Sequence, residues 1–121
     1  MCKKILRYLS KHRDLGIHMK KFTSDGLCQL DSYSDASFAP TGNNSHTGMI
    51  VLWDGVPVMW RSCRQTMVAQ STAEAELIAM ASVLDFTLGL STVLHTVNLN
   101  LPIHIYCDNK AALQNSFLLI T

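Results

Sequence analysis

Three carboxylates stand where a strand or a helix could hold each of them in place. Asp35 lies in YSDAS and Asp108 in YCDN, each near the end of a β-type run. Glu76 lies in the first turns of a long helical pattern. Acids held in this way can share divalent metal ions, and two-metal hydrolysis of a phosphodiester needs such a group. The sequence therefore makes these three residues the candidate metal-binding and catalytic side chains.

Two glutamates at the start of that helical pattern have different expected roles. Ser71 followed by Glu74 is a capping box, in which each side chain accepts a hydrogen bond from an otherwise unpaired backbone N–H. Glu74 is therefore expected to be structural. Glu76 has no such local role, and its neighbours are apolar. A carboxylate in apolar surroundings meets a cation or stays protonated. The residues alone leave open a second possibility, that Glu76 points into water.

The elements that must position these acids follow from periodicity and turn residues. Asp54-Gly55 joins two β-rich runs and suits a type I′ hairpin turn. The long helix is apolar on more than one side, which predicts a central position. Asp108 could also cap a short helix after it. The predicted segments are a strand over 27–36, hairpin strands over 48–53 and 56–61, an extended piece over 65–69, a helix from 71 to about 98, a strand over 103–107 and a short helix through 111–113.

Composition limits the class of protein. With 121 residues and 48% hydrophobic content, the chain can form one core and not two, which predicts a single α+β or α/β domain. There is no secretory h-region and no run of the roughly 18 apolar residues that a spanning helix needs. We therefore expect a soluble protein without a membrane partner. The four cysteines form no CxxC pair and are expected to be reduced thiols.

The net charge of +1 hides a basic arm and an acidic body. Residues 1–21 carry seven lysines and arginines against the single acid Asp14. The remaining residues carry three against eight acids. Apolar residues at helical spacing predict a short amphipathic helix over 3–13. Two interpretations stay open for its basic face, simple solvation or contact with a phosphate backbone.

The order of these blocks resembles the ribonuclease H domain of reverse transcriptases, in the copia-type retrotransposon branch. The opening ILRYLSKHRDLGIHMKK resembles the end of the polymerase connection, and the blocks YSDAS, SHTGMIVLWDGVPVMWRS, RQTMVAQSTAEAEL and YCDNKAAL resemble successive motifs of that domain. The resemblance covers nearly the whole chain. It implies a basic arm over 1–22 from the reverse transcriptase connection and a ribonuclease H-like domain over 27–121.

The resemblance also implies a fold, a reaction and partners. The implied α/β fold is a mixed sheet of three antiparallel strands plus a parallel one, with helices packed on it and the last strand and C-terminal helix missing. Asp35, Glu76 and Asp108 would bind two Mg²⁺ or Mn²⁺ ions and hydrolyse the RNA strand of an RNA–DNA hybrid, without a small-molecule cofactor. The implied partner is the remainder of a Pol polyprotein, in a cytoplasmic virus-like particle. Candidates for backbone contacts to nucleic acid are Ser37, Asn43, Asn44, Ser45, Arg61, Arg64 and Asn109.

Departures from the family pattern lower the activity expected of this chain. Ser37 and Phe38 stand where the family often has an acid and a tryptophan. The chain also ends at FLLIT, before the family's fourth acid, so we expect weak or no catalysis by this chain alone. Two alternatives stay open. One is a catalytically inactive module that binds nucleic acid or a partner chain, and the other is a remnant of a broken retroelement without function.

Overall fold

The computed structural model describes residues 2–19, 28–40 and 43–107. Within these ranges the chain forms two helices and four strands. In chain order they are α1 (Cys2–Lys11), β1 (Leu30–Ser37), β2 (His46–Trp53), β3 (Val56–Arg64), α2 (Thr72–Thr96) and β4 (Ile103–Cys107). The short helix predicted through residues 111–113 lies outside the described residues.

The four strands form one mixed sheet in the order β3-β2-β1-β4. The β1–β2 and β2–β3 pairs are antiparallel, and β4 lies parallel to β1. The predicted α/β class, with three antiparallel strands and a parallel one, is confirmed. The β2–β3 turn is confirmed too, because Asp54 and Gly55 both have positive φ angles of 48° and 77°.

All three antiparallel strands differ from the prediction in their bounds, and β2 begins at His46, two residues earlier than expected. β1 begins at Leu30, because residues 28 and 29 are not paired in the sheet. β3 continues to Arg64, and the piece predicted as extended over residues 65–69 forms bends. The physical reason lies at Gln65. Its backbone N–H donates to Ser45 O at 2.7 Å, and its side-chain Nε2 donates to Ala75 O at 2.9 Å. The first bond extends the pairing with the start of β2 by one residue, and the second ties the end of β3 to α2, where the chain leaves the sheet.

The core lies between α2 and one face of the sheet, which we call the inner face. Its buried cluster consists of Leu30, Met49, Val51, Val83 and Leu94. Successive residues of β1 alternate between this face and the opposite, outer face, as the pleat requires. The alternation decides which side chains of β1 can meet α2.

A buried hydroxyl pair joins β1 to the middle of α2. Ser32 Oγ and Thr87 Oγ1 are 2.7 Å apart, and both residues are fully buried. Thr87 Oγ1 also donates to Val83 O at 2.7 Å. A hydroxyl carries one proton, so Thr87 must accept from Ser32. Each hydroxyl in this pair is therefore satisfied only through the other residue or through the helix.

Replacing Thr87 with valine is expected to lower the free energy of unfolding by about 1–3 kcal/mol, because it leaves Ser32 Oγ buried without its acceptor. Urea denaturation followed by circular dichroism measures the change. The double variant Ser32→Ala/Thr87→Val removes both polar partners and should be less destabilised than the sum of the two single variants. Simple additivity would contradict the assignment of a coupled hydroxyl pair.

The outer face of the sheet carries a row of large side chains at one level. The strand registers place Trp60 beside Ile50, Ile50 beside Tyr33, and Tyr33 beside Tyr106. The two tyrosine rings stack at 4.8 Å, and the Tyr106 hydroxyl donates to Asp31 Oδ1 at 3.3 Å. Desolvation raises the pKa of Tyr106, and the charge of Asp31 raises it further. Trp60 is 61% exposed, so this row is accessible.

Helix α1 confirms the predicted amphipathic helix. None of its residues is buried, and it packs against no other described element. The apolar side chains Ile5, Leu6 and Leu9 are each more than half exposed. A ten-residue helix has little stability by itself in water. Its basic face is solvated in this structure, and contact with phosphate stays a prediction.

Helix α2 combines unusual length with an apolar composition. Its mean hydropathy reaches 1.8 over 18 residues, and by length and composition alone it could cross a membrane. In the structure, residues such as Ala79, Val83 and Leu94 of this helix are buried against the sheet. Only the side of α2 that faces the sheet is buried, whereas Leu88 and Val93 elsewhere on the helix are exposed. The predicted central position is therefore met on one side only among the described residues.

Candidate metal centre

The first turn of α2 separates the two glutamates as the capping argument predicts. Ser71 is the N-cap in an extended conformation, and its Oγ accepts from Glu74 N at 3.2 Å. The Glu74 carboxylate accepts from Gln70 N at 2.6 Å, one residue before the cap. Glu74 is exposed, and its carboxylate is hydrogen-bonded to the backbone just before α2. It is a structural residue.

Glu76 lies on the side of α2 that faces the sheet, and it is only 5% exposed. This burial excludes the possibility that its side chain points into water. Oε1 accepts from Ala36 N at 3.4 Å, and Oε2 lies 4.0 Å from Cys107 Sγ. The carboxylate therefore sits between β1 and the last residue of β4.

The strand ends explain how Glu76 reaches this position. β4 stops at Cys107, whose register partner in β1 is Ser34. From Asp35 onwards, β1 has no described strand beside it on the β4 side. The Ala36 N–H is then able to reach the Glu76 carboxylate instead of a strand. A buried acid thus lies at the carboxyl ends of two parallel strands, the edge where open α/β sheets place their ligands.

Asp35 is exposed, and the pleat turns it to the outer face. Its register partner in β2 is Gly48, where a Cβ atom would still lie 4.0 Å from Asp35 O. The structure thus brings the Asp35–Ala36 peptide against Glu76 and places the Asp35 side chain on the other side of that peptide. Asp108 lies outside the described residues but follows Cys107 directly in the sequence.

The donor set fits a hard divalent ion in part. Carboxylate oxygens are the ligands that Mg²⁺ and Mn²⁺ prefer. Glu76 supplies two such oxygens in a buried position. Among the described residues, no group of three His, Cys, Asp or Glu side chains could hold a metal ion. A complete site would need a ligand from outside the described ranges. Asp108, which follows Cys107 directly in the sequence, is the candidate for that ligand.

A groove of about 430 Å³ opens on the inner face, between β2–β3 and α2. Arg61, Arg64 and Gln65 line its sheet side, and Asp85 lines its helix side. Gln65 is 5% exposed, and its Nε2 donates to Ala75 O, next to Glu76. Gln65 Oε1 has no hydrogen-bond partner among the described residues. One side chain therefore connects the groove to the residue that precedes Glu76.

Sequence reasoning missed this role of Gln65. The only signal was its position in the block RQTMVAQSTAEAEL, between the last sheet strand and the helix. No local sequence pattern predicts this role, because the three hydrogen-bond acceptors of Gln65 lie 10 to 20 residues away in the sequence. They are Thr47 Oγ1, Ala75 O and Ser45 O.

The predicted nucleic-acid contacts divide into exposed and structural residues. Arg61 and Arg64 are exposed beside the groove, and Arg64 Nη2 donates to Asn44 Oδ1 at 2.9 Å. Asn44 Nδ2 in turn donates to Gln65 O at 2.7 Å, so Asn44 also holds the end of β3. The two arginines remain available to an anion from solvent.

The other candidates have different surroundings. Ser45 is fully buried, and its Oγ accepts from Ala39 N at 3.1 Å. It has no surface to offer a ligand, because the chain folds over it to start β2. Ser37 and Asn43 are exposed. Asn109 lies outside the described residues.

Over about nine tenths of its length, the chain is similar to retrovirus-related Pol polyproteins of transposons. The polyprotein from transposon RE2 of Arabidopsis thaliana is 37% identical over 115 residues, 91% of this chain and 8% of the polyprotein. That from transposon RE1 of the same plant is 34% identical over 114 residues, again 91% and 8%. The chain therefore corresponds to less than a tenth of these relatives, and the sequence resemblance is confirmed at the level of the Pol polyprotein.

A third relative is not a Pol polyprotein by name. The secreted RxLR effector protein 161 of Plasmopara viticola is 36% identical over 81 residues, which is 65% of this chain and 55% of that protein. No family model matches the chain. No solved structure matches it either.

Proposed function

We propose that this chain is a ribonuclease H region of a retrotransposon Pol polyprotein, which hydrolyses the RNA strand of an RNA–DNA hybrid with divalent metal ions. The observation that carries the proposal is the buried carboxylate of Glu76 at the carboxyl ends of β1 and β4. The similarity to Pol polyproteins over most of the chain supports it. The remainder of the polyprotein, in a cytoplasmic virus-like particle, is the proposed setting.

Asp35, Glu76 and Asp108 would hold two Mg²⁺ or Mn²⁺ ions, which supply an activated water and stabilise the leaving 3′-oxygen. The chain itself contributes position and charge. The Ala36 N–H, 3.4 Å from Oε1, orients the Glu76 carboxylate, and the surrounding core keeps water from most of it. The Asp35 carboxylate is exposed on the outer face, so in the proposed centre it would have to turn past the end of β4 to reach the ions held by Glu76.

The proposed nucleic-acid interface follows the groove beside this centre. Arg61 and Arg64 are exposed on its sheet side and can contact phosphates without reading sequence. Gln65 joins the groove to Ala75, so a backbone bound there would lead towards Glu76. The basic helix α1 adds positive charge elsewhere in the chain. Affinity for the hybrid should therefore fall steeply with salt.

Cleavage of a hybrid labelled on the RNA strand, at excess protein and with Mn²⁺, tests the proposal. We expect slow, metal-dependent cleavage of the RNA strand and none of the DNA strand. Asp35→Asn should remove it. Asp54→Asn is the matched control, because it makes the same change in a hairpin turn that asparagine tolerates. Equal cleavage by the wild type and Asp35→Asn would contradict the proposed centre.

A second function is favoured by the exposed, basic helix α1. A module that only binds nucleic acid would keep the fold and this helix without a working centre. Tight, salt-sensitive binding of the hybrid with no cleavage at any Mn²⁺ or Mg²⁺ concentration would select it over the nuclease.

A further inference from the structure

A thiol and a second polar side chain border the Glu76 carboxylate. Cys107 Sγ lies 4.0 Å from Glu76 Oε2. Ser34 is the register partner of Cys107 on the neighbouring parallel strand, and both side chains lie on the inner face. Ser34 is 8% exposed, and its Oγ has no hydrogen-bond partner among the described residues. A sulfur and a carboxylate are therefore in contact where β4 ends, and an unpartnered hydroxyl lies on the same face of the adjacent strand.

We propose that Cys107 and Glu76 form a binding site for a thiophilic divalent ion such as Zn²⁺ or Cd²⁺, with Ser34 Oγ beside it as a further oxygen donor. In tetrahedral zinc sites the metal lies about 2.3 Å from sulfur and about 2.1 Å from oxygen, which separates the two donors by roughly 3.6 Å. The observed 4.0 Å between Sγ and Oε2 needs only a few tenths of an ångström of closure. Rotation of either side chain supplies that movement.

The chemistry of the donors separates this ion from the ions of the nuclease centre. Thiolate sulfur selects Zn²⁺ and related soft ions, whereas Mg²⁺ and Mn²⁺ prefer oxygen. Binding replaces the thiol S–H by a sulfur–metal bond and releases the proton to the buffer. Because Glu76 is shared, the soft ion competes with the hard ions for one carboxylate. The inference thus rests on the residue used in the proposed function but does not require hydrolysis.

Titration of the full chain with Cd²⁺, followed by the ultraviolet charge-transfer band of the thiolate–cadmium bond, tests the site. The wild type should develop the band with saturable binding. Cys107→Ser should lose most of it, and Glu76→Gln should weaken the apparent affinity at least tenfold. Cys28→Ser is the matched control, since this half-buried thiol precedes β1 and stands six residues before Ser34, at the opposite end of the strand.

The results of the Cd²⁺ titration and of the cleavage assay distinguish failure of this inference from failure of the proposed function. A band unchanged in Cys107→Ser, or in Cys107→Ala made as a second variant, would overturn the proposal, because another thiol would then be the ligand. Unchanged affinity in a folded Glu76→Gln would overturn it as well. If the band is absent while Mn²⁺-dependent cleavage persists, only this inference fails. If the band follows Cys107 and Glu76 while no cleavage is found, only the proposed nuclease function fails.

Discussion

Replacing Glu76 with glutamine is expected to lower Mn²⁺-dependent cleavage of the RNA strand by more than about 100-fold. Losing a residue that only orients a metal ligand costs about 10- to 100-fold, and losing the ligand itself should cost more. Glutamine keeps the shape of the side chain and an oxygen that can still accept from Ala36 N. The change therefore removes charge and little else. Single-turnover cleavage of a labelled hybrid measures the loss.

Glu74→Gln provides the comparison on the same helix turn. Glu74 is exposed and bonded to Gln70 N, so its replacement should leave the cleavage rate close to that of the wild type. Binding of Mn²⁺, followed by the electron paramagnetic resonance signal of the free ion, gives a readout independent of turnover. Equal losses in the two variants would mean that helix stability and not a metal ligand was responsible.

Replacing Leu30 with alanine is expected to lower the free energy of unfolding by about 2–5 kcal/mol, the range for a buried leucine whose cavity relaxes only in part. Leu30 is fully buried at the start of β1, in the cluster with Val51 and Val83. It also pairs in register with both Trp53 and Ile103, on the two neighbouring strands. A cavity there would loosen the strand that carries Asp35. Equilibrium unfolding in urea measures the effect.

Leu9→Ala is the control for this core substitution. Leu9 is 57% exposed on α1, which packs against no other described element. Its replacement should change the free energy of unfolding of the sheet domain by less than about 0.5 kcal/mol. A large effect at Leu9 would show that α1 is part of the core in solution.

The parts of the fold that the sequence predicted correctly are those with local signals. The Asp54-Gly55 turn needs only two residues with positive φ angles, and the start of α2 needs only the Ser71 cap. The end of β3 has no such signal. It depends on the side chain of Gln65 meeting Ala75 O, a contact that forms only when α2 lies on the sheet.

The candidate site shows the same division. The chemistry of Glu76 was readable from its residue type and its distance from the capping box. Its environment was not, because burial depends on where β1 and β4 end, and both strands are distant in sequence. Likewise Ser45 looked like a surface serine in a polar loop, yet the chain folds over it and its Oγ accepts from Ala39 N. The sequence indicates which groups can react, and packing decides which of them solvent or a ligand can reach.

The row of large side chains on the outer face also makes the two faces of the sheet distinguishable by tryptophan fluorescence. The chain has two tryptophans. Trp60 is 61% exposed in that row, whereas Trp53 packs against the core cluster. Their fluorescence should therefore differ in emission maximum and in quenching by a solute such as acrylamide. Trp60→Phe leaves a probe of core unfolding, and Trp53→Phe leaves a probe of whatever covers the outer face, so each surface of the sheet can be observed separately.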